Sequence, residues 1–142
     1  MTAGAKAVSE LLMMVLALIA GPVDSQEFRL DMIGPSGKVE SLLVKRTTEG
    51  FQLYQERGDK RQEAGTLREE SGNSGTFVFK AANRPEQKFN LSSSLQNFSV
   101  DKLRTARQLD LTTSDKGVIH VYRSGNVVYL TPEKGRVTYV CH

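Results

Sequence analysis

Apolar side chains along most of this chain alternate with a period of two, and turn-forming clusters cut that alternation about every ten residues, the pattern of an antiparallel meander. Phe28, Leu30 and Met32 share one side of a strand, with Arg29 and Asp31 on the other. Gly34-Pro35-Ser36-Gly37 turns the chain, Val39 to Arg46 follows, and Thr47 to Gly50 turns it again before Phe51 to Arg57. Arg61 to Glu70 is polar and weakly patterned, and reads as an exposed edge strand. Ser71 to Gly75 breaks it, Thr76 to Lys80 forms a strand with Phe77 and Phe79 on one face, and Lys88 to Ser92 returns.

The stretch from Ser99 to Leu109 departs from this rhythm. Ser99 suits a helix N-cap, and Val100, Leu103 and Ala106 recur at helical spacing, so one short helix is expected near 99–109. The fold expected is mainly β, an antiparallel meander of about eight to ten strands closed as a small barrel or folded as a sandwich.

The final strands, Val118–Arg123, Val127–Thr131 and Val137–Cys141, carry the most information. Side chains alternate across a strand, so Ile119, Val121, Val128, Leu130, Val137, Tyr139 and Cys141 share one face. Val118, His120, Tyr122, Val127, Tyr129, Thr138, Val140 and His142 share the other, with Thr138 expected opposite Tyr129. Both faces are rich in apolar residues, whereas a sheet wet on one side alternates apolar with polar. Covers on both sides are therefore expected: the 99–109 helix, a second sheet or a partner. Val118, Tyr122, Val127, Tyr129 and Val140 are the candidate ligand or partner surface.

The amino-terminal 25 residues read as an export leader. Lys6 supplies positive charge, Leu11 to Ala20 is unbroken and apolar, Gly21 and Pro22 break it, and Val23-Asp24-Ser25 resembles a cleavage site. The expected division is a leader over 1–25 and a single β-rich domain over 26–142, placing the protein in the secreted or periplasmic space. The apolar run is shorter than the roughly 20 residues a spanning helix requires. An uncleaved membrane anchor and a buried amphipathic helix are the competing readings.

Without Lys6, Glu10 and Asp24 the remainder keeps 18 basic and 14 acidic residues. That modest excess favours weak contact with anionic polymers or a membrane surface. Lys102, Arg104 and Arg107 are its candidates, helped by Arg57, Lys60 and Arg61. The basic residues lack interleaved aromatics, so a nucleic-acid partner is not expected.

The chemistry of catalysis is sparse. Gly34 to Lys38 resembles a phosphate-binding loop but lacks its first glycine and its final hydroxyl. His120, Cys141 and His142 have no metal-ligand spacing, so neither metal nor cofactor is expected. No nucleophile elbow occurs, and no carboxylate stands in a clearly apolar context; Asp31, between Leu30 and Met32, is read as nearest to one, but alternation puts it on the solvent face. Cys141, the single cysteine, reads as a packed thiol, with an intermolecular bridge as the alternative. Asn90-Leu-Ser92 and Asn97-Phe-Ser99 match the glycosylation acceptor pattern. The function expected is a non-catalytic binding or interaction module that takes an apolar small molecule or an envelope protein. The alternatives are a small exported carboxylate hydrolase and a structural subunit assembling through an edge strand or Cys141.

Overall fold

The computed structural model describes residues 9–70, 75–135 and 137–142. Lys6, most of the break at 71–75 and Arg136 therefore lie outside the described residues. Ten strands form one antiparallel sheet. The first meander comprises β1 (Glu27–Ile33), β2 (Val39–Arg46), β3 (Gly50–Arg57), β4 (Lys60–Glu69), β5 (Thr76–Ala81) and β6 (Gln87–Asn90). The second comprises β7 (Gln108–Thr112), β8 (Val118–Ser124), β9 (Val127–Pro132) and β10 (Thr138–Cys141). They join where β1 pairs with β10, Leu30 opposite Cys141 and Met32 opposite Tyr139. The order is β6-β5-β4-β3-β2-β1-β10-β9-β8-β7, so the sheet is open and not a closed barrel.

Three helices accompany the sheet: α1 (Glu10–Ala20), α2 (Leu91–Ser94) and α3 (Val100–Thr105). The expected short helix is α3, capped by the Ser99 hydroxyl, which accepts the Lys102 amide at 3.3 Å. It ends at Thr105, before Arg107. The segment linking β6 to β7 ties the two sheet edges together. The Leu91 amide donates to Gly75 beside β5, and Leu95 bridges Thr113 after β7.

α1 occupies the centre of the core. Leu, Met and Ala favour helix, and Gly21-Pro22 stops it. Every residue from Leu12 to Ala20 except Met14 is buried, as expected of a helix that is apolar all round. It lies against β9, β10 and α3. A flat sheet of this many strands would be about 43 Å wide, while α1 is only about 16 Å long. Yet one apolar cluster unites α1 with Leu30, Val44, Leu53, Leu67, Phe79 and Leu130, so the sheet curls around the helix.

Three expectations are corrected. β4 is not an edge strand: it pairs with β3 on one side and β5 on the other. Its pairing shifts between Leu53 and Tyr54, leaving Ala64 as an extra residue opposite them. A bulge reverses side-chain parity, which erases the alternation that marks the other strands. Next, Tyr129 pairs with Val140, not Thr138. Last, the two faces of the C-terminal sheet divide as the sequence indicates, but only one is covered. Ile119, Val121, Val128, Leu130, Tyr139 and Cys141 are buried, and both α1 and α3 lie on that same inner side. Nothing in the described chain covers the outer side.

The Gly34–Lys38 segment is the β1–β2 hairpin turn, closed by the Gly34 amide donating to the Lys38 carbonyl at 2.9 Å. Gly37 sits at φ +84°, where glycine is favoured.

Candidate binding surfaces

The outer face is built from sheet register. Ser41, Asp31, Val140, Tyr129, Tyr122 and Gln108 lie side by side in one row across six strands. Tyr122 and Tyr129 are 45% and 39% exposed, high for large side chains at the middle of a sheet. Their ring centroids are 6.2 Å apart at a tilt of 34°. Val118, Val127 and Val140 are half-buried. Val127 and Val140 thus join the two tyrosines on one uncovered patch, while Val118 lies on the same face beyond His120.

Histidine–carboxylate pairs flank this patch. The His120 Nδ1 lies 2.8 Å from an Asp110 carboxylate oxygen and its Nε2 lies 3.4 Å from Glu133. The Asp110 hydrogen bond, aided by the charges of Asp110 and Glu133, outweighs desolvation and raises the His120 pKa. On the other side, His142 Nε2 lies 2.6 Å from Asp31, and the Ser41 hydroxyl donates to the same carboxylate at 2.5 Å. Burial pushes the Asp31 pKa up, but the Ser41 and His142 hydrogen bonds and the charges of His142 and Arg29 reverse that and leave it lowered. Ser41 donates to the acid and not to an imidazole, so the trio lacks the base that activates a serine nucleophile. His120 and His142 share the outer face but hold different partners, while Cys141 faces inward.

A second polar cluster lies at the inner end of α1. Arg46 Nε donates to the Ser25 carbonyl at 2.8 Å and an Arg46 Nη to the Pro22 carbonyl at 2.6 Å. The Arg46 guanidinium also stacks over Phe28 and Phe51, 5.3 and 5.2 Å from their centroids. An Arg123 Nη donates to the carbonyls of Ala20 and Leu103 at 2.9 and 2.8 Å. These arginines satisfy carbonyls that a helix end leaves unpaired. Among the described residues no carboxylate forms an ion pair with Arg46, Arg104 or Arg123. The Nε atoms of Arg104 and Arg123 are buried without a partner.

Arg46 and Arg104 line a cleft of about 220 Å³ with Phe51, Leu67, Phe77 and Glu69. Burial, and then the nearby Arg104 charge, lower the Arg46 pKa. Burial likewise lowers that of Arg123. Of the three expected anionic contacts, Arg104 faces this cleft, while Lys102 and Arg107 are exposed and Arg107 lies beyond α3. Glu49 and Glu69 reach the same cleft but are solvent-exposed, unlike a carboxyl held in apolar surroundings for acid catalysis.

Arg46 and Arg123 were legible in principle. Counting by twos from Leu42 and Val44 reaches Arg46, and from Ile119 and Val121 reaches Arg123, so both fall on the apolar face. An arginine at that phase signals a buried anion or carbonyl partner. The Cys141 thiol is buried and lies 3.2 Å from the Ala17 carbonyl, and burial pushes its pKa up to about 12. Among the described residues no helix is long and apolar enough to cross a membrane. No family model, curated protein or solved structure matches this chain, so the functional reading rests on this geometry.

Proposed function

We propose that the chain is an exported, non-catalytic interaction module that docks an envelope or extracellular protein on the outer face of β8, β9 and β10. The observation that carries this reading is the Tyr122–Tyr129 pair, aromatic and half-exposed on a face that nothing in the described chain covers. Aromatic residues at the centre of an apolar patch ringed by polar groups are typical anchors of protein interfaces. Val118, Val127 and Val140 extend the apolar area, and the flanking acid–imidazole pairs form its rim. Export rests on the leader-like sequence over 1–25.

Arrangement of the other candidates supports this reading over its rivals. Ser41 donates to Asp31 and not to an imidazole, and the Cys141 thiol faces the inside of the curled sheet and not a neighbouring chain. The test compares the exported protein with its Tyr122→Ser/Tyr129→Ser form by native mass spectrometry and thermal unfolding. Loss of the co-purifying partner with an unchanged unfolding midpoint is expected. A double variant that unfolds, or one that keeps its partner, sinks the proposal. A concentration-dependent mass would identify the partner as a second copy.

A further inference from the structure

The helix that fills the curled sheet is the same segment that reads as an export leader, and the chain surrounds it as a binding site surrounds a ligand. We propose that α1 holds the place of a single-chain anionic amphiphile, which enters the inner face of the sheet once residues 1–25 are gone. The inference rests on the export reading for the removal of α1. It does not depend on the outer docking face. In that removal a leader peptidase adds water across the Ser25–Gln26 peptide bond, leaving a Ser25 carboxylate and a Gln26 amine.

Three observations fix the chemistry of the occupant. The space is apolar along its length: Leu30, Val44, Leu53, Val128 and Leu130 are all nearly or fully buried in the cluster around α1. Its length follows the helix, about 16 Å, which matches an extended acyl chain of about twelve to fourteen carbons; that chain is narrower than the helix, so the curled sheet would close further around it. One end is cationic. With α1 absent, Arg46 loses the carbonyls of Pro22 and Ser25, and Arg123 loses that of Ala20. Those guanidiniums, together with Arg104, would then have no ion-pair partner among the described residues, since the acids that reach the cleft, Glu49 and Glu69, are solvent-exposed and bridge to none of them.

The buried Nε atoms of Arg104 and Arg123 already have no partner with α1 in place. A carboxylate or phosphate supplies what the carbonyls only approximate. It adds negative charge and several acceptor oxygens matched to guanidinium geometry. The cleft lined by Arg46 and Arg104 lies at this end. Neutral lipids would bury the same chain but leave three cations unpaired in a partly desolvated site, which is costly.

Cys141 reports occupancy. Its thiol lies beneath Ala17 of α1, so it is shielded while the helix is present, accessible when the groove is empty, and shielded again by an acyl chain. The experiment uses full-length protein expressed with its own leader and recovered from the exported compartment. Its amino terminus is read first. Endogenous lipid is then stripped on a lipophilic resin without unfolding the protein, circular dichroism checks that the sheet persists, and myristate, tetradecyl phosphate and tetradecanol are each titrated while thiol labelling is followed.

The expected result is a chain starting at Gln26 that binds one myristate or one tetradecyl phosphate, with Cys141 labelling slowed at least tenfold. Tetradecanol should bind at least tenfold more weakly. Arg104→Gln and Arg123→Lys should each weaken myristate while leaving tetradecanol unchanged. If the carboxylate or the phosphate alone binds, the head group is thereby assigned. A Gln26 start with no binding, or with equal binding of all three probes, overturns this inference alone. A chain that keeps residues 1–25 overturns the export reading, and this inference with it.

Discussion

At the residue scale, the outer tyrosines and the inner arginines make opposite predictions. Tyr122 and Tyr129 touch solvent over much of their surface, so replacing both with Ser should cost about 1 kcal/mol or less in denaturant unfolding. Arg123 links the end of α1 to α3 through the Ala20 and Leu103 carbonyls. Truncating it to Ala in the full chain should cost about 2 kcal/mol, because two buried carbonyls lose a charged donor.

His120 gives a pH dependence of definite sign. Its pKa is raised in the folded state, first by the Asp110 hydrogen bond. Its contribution is therefore fully present below its unfolded value of about 6.5 and is lost as pH rises through the higher folded value. The unfolding midpoint should fall as pH rises above about 6.5, and His120→Gln should flatten that slope. Asp31 acts oppositely: its pKa is lowered, so its contribution is lost as pH falls through the folded value.

At the element scale, α1 fills the centre of the core in the full chain. Leu16 and Ile19 are completely buried, and a Leu16→Ala change in the full chain should cost about 2–5 kcal/mol from lost contact and cavity. Leu16→Asp should drive α1 out of the sheet in the full chain, since the packed helix would bury an unpaired charge. Circular dichroism with urea titration checks both. A fold indifferent to Leu16→Asp would mean that α1 does not occupy the sheet.

β4 shows how one residue hides an element. Leu67 and Gly65 face inward as alternation requires, but the bulge at Ala64 shifts Glu63 to the outer side beside Tyr54. The strand therefore reads as polar and irregular although it lies inside the sheet. Gly65 also lets β5 approach closely: a Cβ there would stand 2.8 Å from the Lys80 carbonyl oxygen. Gly65→Val should consequently destabilise the protein by about 1–3 kcal/mol, read by the same titration.

At the scale of the whole molecule, a curled sheet around a helix buries its sole cysteine on the inner face. In the full chain the Cys141 thiol, with its pKa pushed up to about 12 by burial, should resist labelling at pH 8 until the protein unfolds. The thiolate is the reactive form, and both burial and the raised pKa withhold it. Labelling of the folded full chain within minutes would show that α1 leaves the sheet spontaneously.

Local alternation and turn chemistry decided most of the strands in advance. Both depend on residues adjacent in sequence, so the β8–β9–β10 faces and the 34–38 turn were legible without a structure. The short α3 helix was legible from its cap and apolar spacing. Long-range geometry decided the rest. The pairing of β1 with β10, the bulge in β4 and the choice of which apolar face lies inward each depend on segments far apart in the chain. The apolar run at 11–20 is the clearest case. Its composition reads first as an export leader and second as a buried helix, because both require a short, uninterrupted apolar segment. Only the curled sheet and the arginines of β2 and β8 give that segment a place in the core, since carbonyls and guanidiniums a hundred residues apart meet only when the chain is folded.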